Sequence, residues 1–252
     1  MRRLWSYVFG AVWMVALFVL AFPVLLLGWP SHVWRLEVSR LYSRWWSRGV
    51  LWAAGIRLVL RGREHLATRP AVFAFNHANM LDFFVNACFA PRGCLVFGKR
   101  ELARVPFLGW MWLCGGHPMI QRDQRDQWQG LLDSVTELLR QGHSTIVAPE
   151  GTRSRHGKLL PFKKGPFHFA LASGAPIVPV IIRGGAELYG AHGLRPGTVE
   201  VDVLPPISTA GWTRETLDEH VAEVRAVFLE HMEPHDEEPA GAPASAAEAP
   251  QG

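Results

Sequence analysis

The chain divides into stretches with different hydrophobic patterning. From Leu4 to Trp34 there is no Asp, Glu, Lys or Arg, and Arg2 and Arg3 stand just before that run. An apolar stretch of this length predicts a membrane helix. Pro23 is expected to break or kink it, leaving Leu4 to Phe22, roughly 28 Å at about 1.5 Å per residue and barely the hydrocarbon thickness. Spanning and re-entrant insertion both fit. A cleavable signal peptide fits less well, because the run exceeds the roughly 7–15 apolar residues of such a segment and no A-x-A-like site ends it.

From His32 to Ala54 the pattern becomes amphipathic. Arg40, Arg44 and Arg48 recur every fourth residue and form one stripe of a helix, while Trp34, Val38, Leu41, Trp45 and Trp52 populate other faces. Such a helix is expected to lie in a membrane interface, arginines toward water and tryptophans toward lipid. A solvated stripe on an ordinary globular helix is the plainer alternative.

After Gly55, short apolar runs rich in β-branched residues alternate with helix-like segments. Strands are predicted at Ile56–Leu60, Ala71–Phe75, Cys94–Phe97, Ser144–Ala148, Pro176–Ile182 and Thr198–Leu204. Helices are predicted at Asn79–Phe89, Gln127–Gln141, Pro166–Ser173 and Thr213–His231. The alternation implies an α/β fold, a mixed sheet covered by helices. From Pro234 onward Pro, Ala, Gly and Glu dominate, too little apolar material to offset chain entropy, so a disordered tail is expected. The organisation expected is therefore a membrane anchor at 1–54, a catalytic domain at 55–233 and an acidic tail at 234–252.

Charge and aromatic placement indicate what the body binds. The net charge of +4 conceals an asymmetry, since every charged residue after Ala226 is acidic, from Glu230 to Glu248, and the rest is strongly basic. Seven of the eleven tryptophans lie in the first 52 residues, beside the longest apolar run. That placement points to a phospholipid bilayer as the anionic partner, with rings at the headgroup boundary, and away from nucleic acid. Three cysteines, Cys88, Cys94 and Cys114, without a C-x-x-C spacing support neither a disulfide scaffold nor a zinc ribbon. They suggest reduced thiols and a catalytic domain on the cytoplasmic face of the cell inner membrane or another cytoplasmic membrane.

Two polar blocks follow apolar strands. The first is Asn76-His77-Ala78-Asn79-Met80-Leu81-Asp82. A histidine general base needs a carboxylate to fix its tautomer and stabilise the imidazolium. On one continuous helix His77 and Asp82 would point about 140° apart, so His77 is expected on the strand-to-helix turn with Asp82 reaching back from the first turns. A helix-capping Asp beside an incidental histidine would give the same spacing. The second block is Pro149-Glu150-Gly151-Thr152-Arg153-Ser154-Arg155. Its glycine permits close approach of a ligand, and Arg153 and Arg155 offer planar donors suited to phosphate. A solvated basic turn is the alternative. Lys163, Lys164 and His168 add positive charge nearby. The chain has no G-x-G-x-x-G, H-E-x-x-H, EF-hand or G-x-S-x-G motif, and Gly151–Lys158 fails as a phosphate loop because five residues separate its glycines and Leu159 stands at the magnesium-ligand position.

Together these blocks resemble the 1-acylglycerol-3-phosphate acyltransferase family, over about residues 55–205. The family's N-H-x-x-x-x-D motif is met by Asn76, His77 and Asp82, and its P-E-G-T-R-S motif by Pro149 through Ser154. Its apolar stretch with two prolines is met by Pro176-Ile177-Val178-Pro179-Val180. The Lys99-Arg100-Glu101-Leu102 segment with Pro106, Phe107, Gly109 and Trp110 resembles the region between the first two motifs. Two departures stand out: Ile120-Gln121-Arg122 replaces an apolar-Asp-Arg sequence, and Ala78-Asn79 replaces the usual Gln-Ser.

The resemblance implies acyl transfer from a thioester, acyl-CoA or acyl-carrier protein, to the free hydroxyl of lysophosphatidic acid, giving phosphatidic acid. It implies no metal and no cofactor beyond that co-substrate. His77 would be the base and Asp82 would orient it. Direct attack by the acceptor needs no protein nucleophile, which suits the missing elbow serine. Arg153, with Lys99 and Arg122, would bind the acceptor phosphate. Glu150 would position the arginine or the acceptor hydroxyl, and Asn76, Gly151 and Thr152 complete the candidate substrate-binding set. Acylation of another lysolipid, or an esterase or thioesterase using the same pair with water, are the alternatives.

Overall fold

In the computed structural model the described residues are 2–120, 128–154, 158–190 and 193–232. Arg122, Arg155 and the expected tail at 234–252 lie outside them.

Two long helices open the chain, α1 (Arg2–Leu27) and α2 (His32–Ala54), followed by β1 (Ile56–Arg61), β2 (Val72–Phe75) and α3 (Leu81–Phe89). Next come β3 (Cys94–Val96), β4 (Gly98–Lys99), α4 (Leu108–Cys114), β5 (Met119–Ile120), α5 (Trp128–Arg140) and β6 (Ser144–Val147). The remainder is α6 (Gly165–Ser173), β7 (Ile177–Arg183), α7 (Gly185–Leu188), β8 (Tyr189–Gly190), β9 (Gly193–Leu194), β10 (Gly197–Val203) and α8 (Leu217–Met232). Short 3₁₀ turns occupy Arg63–Ala67 and Arg100–Arg104.

The six expected strands form one mixed sheet in the order β1-β10-β7-β2-β6-β3. β7, β2, β6 and β3 are mutually parallel, while β10 runs antiparallel to β7 and parallel to β1. Both faces are covered, as β7 shows by period-2 alternation: Val178, Val180 and Ile182 pack toward α3 and α2, and Ile177 and Ile181 toward α6 and α8. That two-sided burial explains the nearly unbroken apolar run in this strand.

The N-terminal helices differ from expectation at Pro23. α1 continues through Pro23 to Leu27, because fully buried Leu25 packs with Val38, Tyr42 and Met111 and holds the last turn in register. Proline removes one intrahelical donor only, and four residues later the helix ends. α2 has the expected bounds: Ser31 Oγ accepts from Trp34 N at its start, and Gly55 closes it with φ +74°. One face of it packs on the sheet: Trp46, Val50, Leu51 and Ala54 join the same core as Phe73 and Val85, while Leu25, Val38 and Tyr42 form a second cluster with Met111 of α4. Trp34, Trp45 and Trp52 remain exposed, as do Val12, Leu20 and Leu27 of α1.

Candidate active site

β2, β6 and β7 are neighbouring parallel strands, and their carboxyl ends deliver three loops to one place. In open α/β sheets this is where ligands sit. Immediately beyond Phe75, buried Asn76 donates through Nδ2 to Ile182 O at 2.8 Å and accepts through Oδ1 from Ile182 N at 2.7 Å. One N–H and the carbonyl of its amide are therefore engaged by β7. These bonds give Asn76 a structural role beside the substrate-binding one expected of it.

His77 sits on the turn, and Asp82 reaches back from the first turn of α3. Asp82 Oδ2 lies 2.8 Å from His77 Nδ1 and also accepts from Ala78 N at 2.7 Å and Asn79 N at 2.9 Å. Asn79 Oδ1 in turn accepts from Leu81 N at 2.8 Å, a reciprocal cap of the capping-box kind. The two sequence readings of Asp82, helix cap and histidine partner, are thus both true of one oxygen. An ionised carboxylate only accepts, so Nδ1 carries the proton and Nε2 holds the lone pair. The Asp82 side chain is 1 % exposed and that of His77 22 %, an orienting group beneath a reachable base.

The second block holds the first from behind. Glu150, 2 % exposed, accepts through Oε1 from His77 N at 2.7 Å and through Oε2 from Leu160 N at 2.9 Å. Ser154 N donates to His77 O at 2.8 Å. Both main-chain polar groups of His77 are therefore held by the Pro149–Ser154 loop. The hydrogen bonds that Glu150 makes among the described residues go to backbone amides and none to Arg153, so it acts on the loop and on His77. Burial pushes its carboxyl pKa up, while those two N–H bonds oppose the rise. Gly151 adopts φ +68°, and a Cβ there would come within 2.9 Å of Lys163 Cδ, so the lysine stem lies directly over the glycine.

The cations separate into different settings. Arg153, Thr152 and Lys163 are exposed, and Arg153 makes no ion pair with any described residue. Lys164 is committed to Asp218 of α8 at 2.7 Å. His168 packs near Trp128, and burial, then Lys164 and Arg214, hold its pKa down. Lys99 is placed by its backbone on β4, paired with Ile120 of β5.

Sequence reasoning missed two supports. Asn79, noted only as a departure from the family pattern, donates through Nδ2 to Gly185 O at 2.9 Å and ties the turn to the exit of β7. Its position just before a helix was a readable capping signal. Arg225 of α8 donates to Leu159 O at 3.3 Å and Leu160 O at 3.4 Å, bracing the segment that holds Glu150. No local signal identifies it.

Residues 57–183 match the family model described as Acyltransferase. Over 221 residues the chain is 37 % identical to a 1-acyl-sn-glycerol-3-phosphate acyltransferase of Limnanthes douglasii, covering 86 % of this chain and 77 % of that one. It is 31 % identical over 169 residues to the enzyme of that name from Escherichia coli strain K12, covering 67 % and 69 %. The crystal structure of the 1-acyl-sn-glycerophosphate (LPA) acyltransferase PlsC from Thermotoga maritima superposes with a TM-score of 0.76 at 24 % identity, covering 94 % of this chain and 97 % of that one, and so shares the fold. On the family match and these identities, the chain belongs to the acyltransferase family that includes the 1-acyl-sn-glycerol-3-phosphate acyltransferases.

Proposed function

We propose that this acyltransferase moves a fatty acyl group from a thioester to the free hydroxyl of 1-acylglycerol-3-phosphate, giving phosphatidic acid. The observation that carries the mechanism is the 2.8 Å contact between His77 Nδ1 and buried Asp82 at the carboxyl end of β2. With Nδ1–H held by Asp82, His77 Nε2 takes the acceptor hydroxyl proton as the oxygen attacks the thioester carbonyl. Collapse of the tetrahedral intermediate expels the thiolate, which recovers that proton from Nε2. Proton and acyl group both balance without a protein acyl intermediate.

Arg153 is assigned to the acceptor phosphate. It is exposed on the loop that holds His77, and a guanidinium offers a bidentate, charge-assisted fit to phosphate. Arg122 and Lys99 remain candidates for the same anion, and Thr152 and Gly151 border it. Coenzyme A and acyl-carrier protein are both suitable donors for this chemistry.

We place the enzyme on a membrane through α1. Continuing to Leu27, it is about 39 Å long, more than the hydrocarbon thickness of roughly 30 Å. Yet Trp13 Nε1 donates to Trp45 O and Trp46 Nε1 to Gly10 O, so α1 lies along α2, which shares the core of the sheet. A helix fastened in this way favours insertion into one leaflet over crossing. Free Cys88 and Cys94 accord with a domain on the cytoplasmic side.

The test is an acyl-transfer assay of purified protein with acyl-CoA and acyl-carrier-protein donors against a panel of lysolipids, read by mass spectrometry. Phosphatidic acid is the expected product. Rapid thioester hydrolysis without acceptor, and no acylated lipid with it, would overturn the proposal.

A further inference from the structure

Five arginines line a cavity of about 570 Å³ against β1, the edge strand that β10 and β7 separate from the β2 strand carrying His77. Arg40, Arg44 and Arg48 come from α2, Arg63 from the turn after β1, and Arg92 from the loop after α3. Its other walls are apolar: Ile56, Leu58 and Leu60 on the inner face of β1, with Leu66 and Trp52. The polarity of α3 separates the two sites. Asp82 stands in its first turn, whereas Cys88 and Phe89 in its last turn line the cavity, about 10 Å further along the helix axis.

The charge in this cavity is mostly unanswered. Glu37 pairs with Arg40 at 2.8 Å and lies 3.5 Å from Arg92. Arg48 packs over the Trp45 ring. Arg44 and Arg63 make no ion pair or hydrogen bond with any described residue. Burial, then Arg48, Arg40 and Arg63, hold the Arg44 pKa down. A partly buried guanidinium such as that of Arg44, crowded by like charges and without a counter-anion, is costly, and a phosphate ester offsets that cost with bidentate hydrogen bonds.

The apolar walls show what the phosphate is attached to. Trp52, 70 % exposed, packs 5.7 Å from Phe9 of α1, which packs 5.8 Å from Trp5, itself exposed. An apolar path therefore runs from the cavity onto the open face of α1. Free phosphate has no use for those walls. An acidic protein surface could reach the exposed Arg48, Arg63 and Arg92, but it too would leave the apolar walls unused. We propose that this cavity binds the phosphate headgroup of an anionic phospholipid, whose acyl chains leave past Trp52 along α1, as a lipid site separate from the acyl-transfer site.

The test uses full-length protein in neutral detergent, titrated with dihexanoyl phosphatidylglycerol and followed by Trp fluorescence and melting temperature. Saturable binding is expected, with dihexanoyl phosphatidylcholine and inorganic phosphate each at least about 10-fold weaker. Combining Arg44→Gln with Arg63→Gln should weaken the phosphatidylglycerol by about 10-fold or more. Arg57→Gln, on the outer face of β1, and Arg153→Ala should leave it unchanged. On unaltered protein, a photoactivatable-tail phosphatidylglycerol should cross-link to β1 or Trp52, which decides the matter even if the double variant folds poorly. Equal affinity for inorganic phosphate would make this a free-anion site. Loss of acyl-carrier-protein binding in the double variant, with lipid binding intact, would make it a protein-docking surface. Cross-links confined to the His77 turn, or arginine variants that bind lipid normally, would also overturn the proposal.

Discussion

Glu150 fixes His77 through the main chain: its Oε1 accepts from His77 N at 2.7 Å across 73 residues of sequence. The second sequence block thus positions the base rather than only contributing to a binding surface.

Replacing Glu150 by Gln exchanges one acceptor oxygen for an NH₂ group, so either His77 N or Leu160 N loses its partner. An unsatisfied buried donor costs about 1–3 kcal/mol, which should appear as a lower melting temperature. Displacement of the base should lower kcat by up to about 100-fold with little change in acceptor KM. An altered KM at unchanged kcat would instead place Glu150 against the substrate.

His77→Ala should lower turnover by roughly 10²–10⁴ without unfolding the domain. Asp82→Asn is an informative partner because all three contacts converge on Oδ2. An amide oxygen placed there keeps every acceptor bond and removes only the charge. The double variant should be little worse than His77→Ala alone. Additive losses would show that the two residues act separately.

Arg153→Ala should raise the acceptor KM by roughly 10- to 150-fold, as expected for a lost charge-assisted bond of about 1.5–3 kcal/mol, and leave the donor KM nearly unchanged. It should narrow the preference for a phosphorylated acceptor over monoacylglycerol. Melting temperature should hold, because the exposed side chain has no ion-pair partner among the described residues. Unchanged acceptor discrimination would remove Arg153 from the site.

Buried His117 supplies a stability signature in acid. Burial, then His32, pushes its pKa from 6.5 down to about 4. Between those values the unfolded chain binds a proton that the folded chain refuses, so stability is lost as pH falls through that window. About 2 kcal/mol should disappear between pH 6.5 and about pH 5 in urea titrations. His117→Gln should flatten that slope.

Deleting residues 1–30 should leave cooperative unfolding intact, whereas deleting 1–54 should abolish it. The longer deletion strips Trp46, Val50, Leu51 and Ala54 from the central core. Buried side chains of this kind contribute about 1.5–3 kcal/mol each against a total stability of about 5–15 kcal/mol. A folded 55–252 fragment, seen by circular dichroism and a sharp melt, would refute this.

The strands were legible because a sheet covered on both faces writes itself as apolar runs, as Ile177–Ile182 did. The His77–Asp82 contact was legible because both residues lie on one strand-to-helix turn. The supports around them were not, since Glu150 to His77 and Asn76 to Ile182 are long-range bonds set by strand order. Continuity through Pro23 depended on Leu25 finding a pocket among α2 and α4, and tertiary packing of that kind overrides a local breaker. Likewise the arginine stripe gave no sign that β1 and the end of α3 would enclose it.

The amide of Asn76 gives Ile182 one donor and one acceptor, as a peptide unit would, where the backbone pairing of β2 with β7 has ended at Phe75 and Val180. The side chain therefore adds a rung to the ladder beneath the catalytic turn. The base consequently rides on a turn tied to the central strands, and the amide proton of Ile182 should exchange with solvent only at their rate.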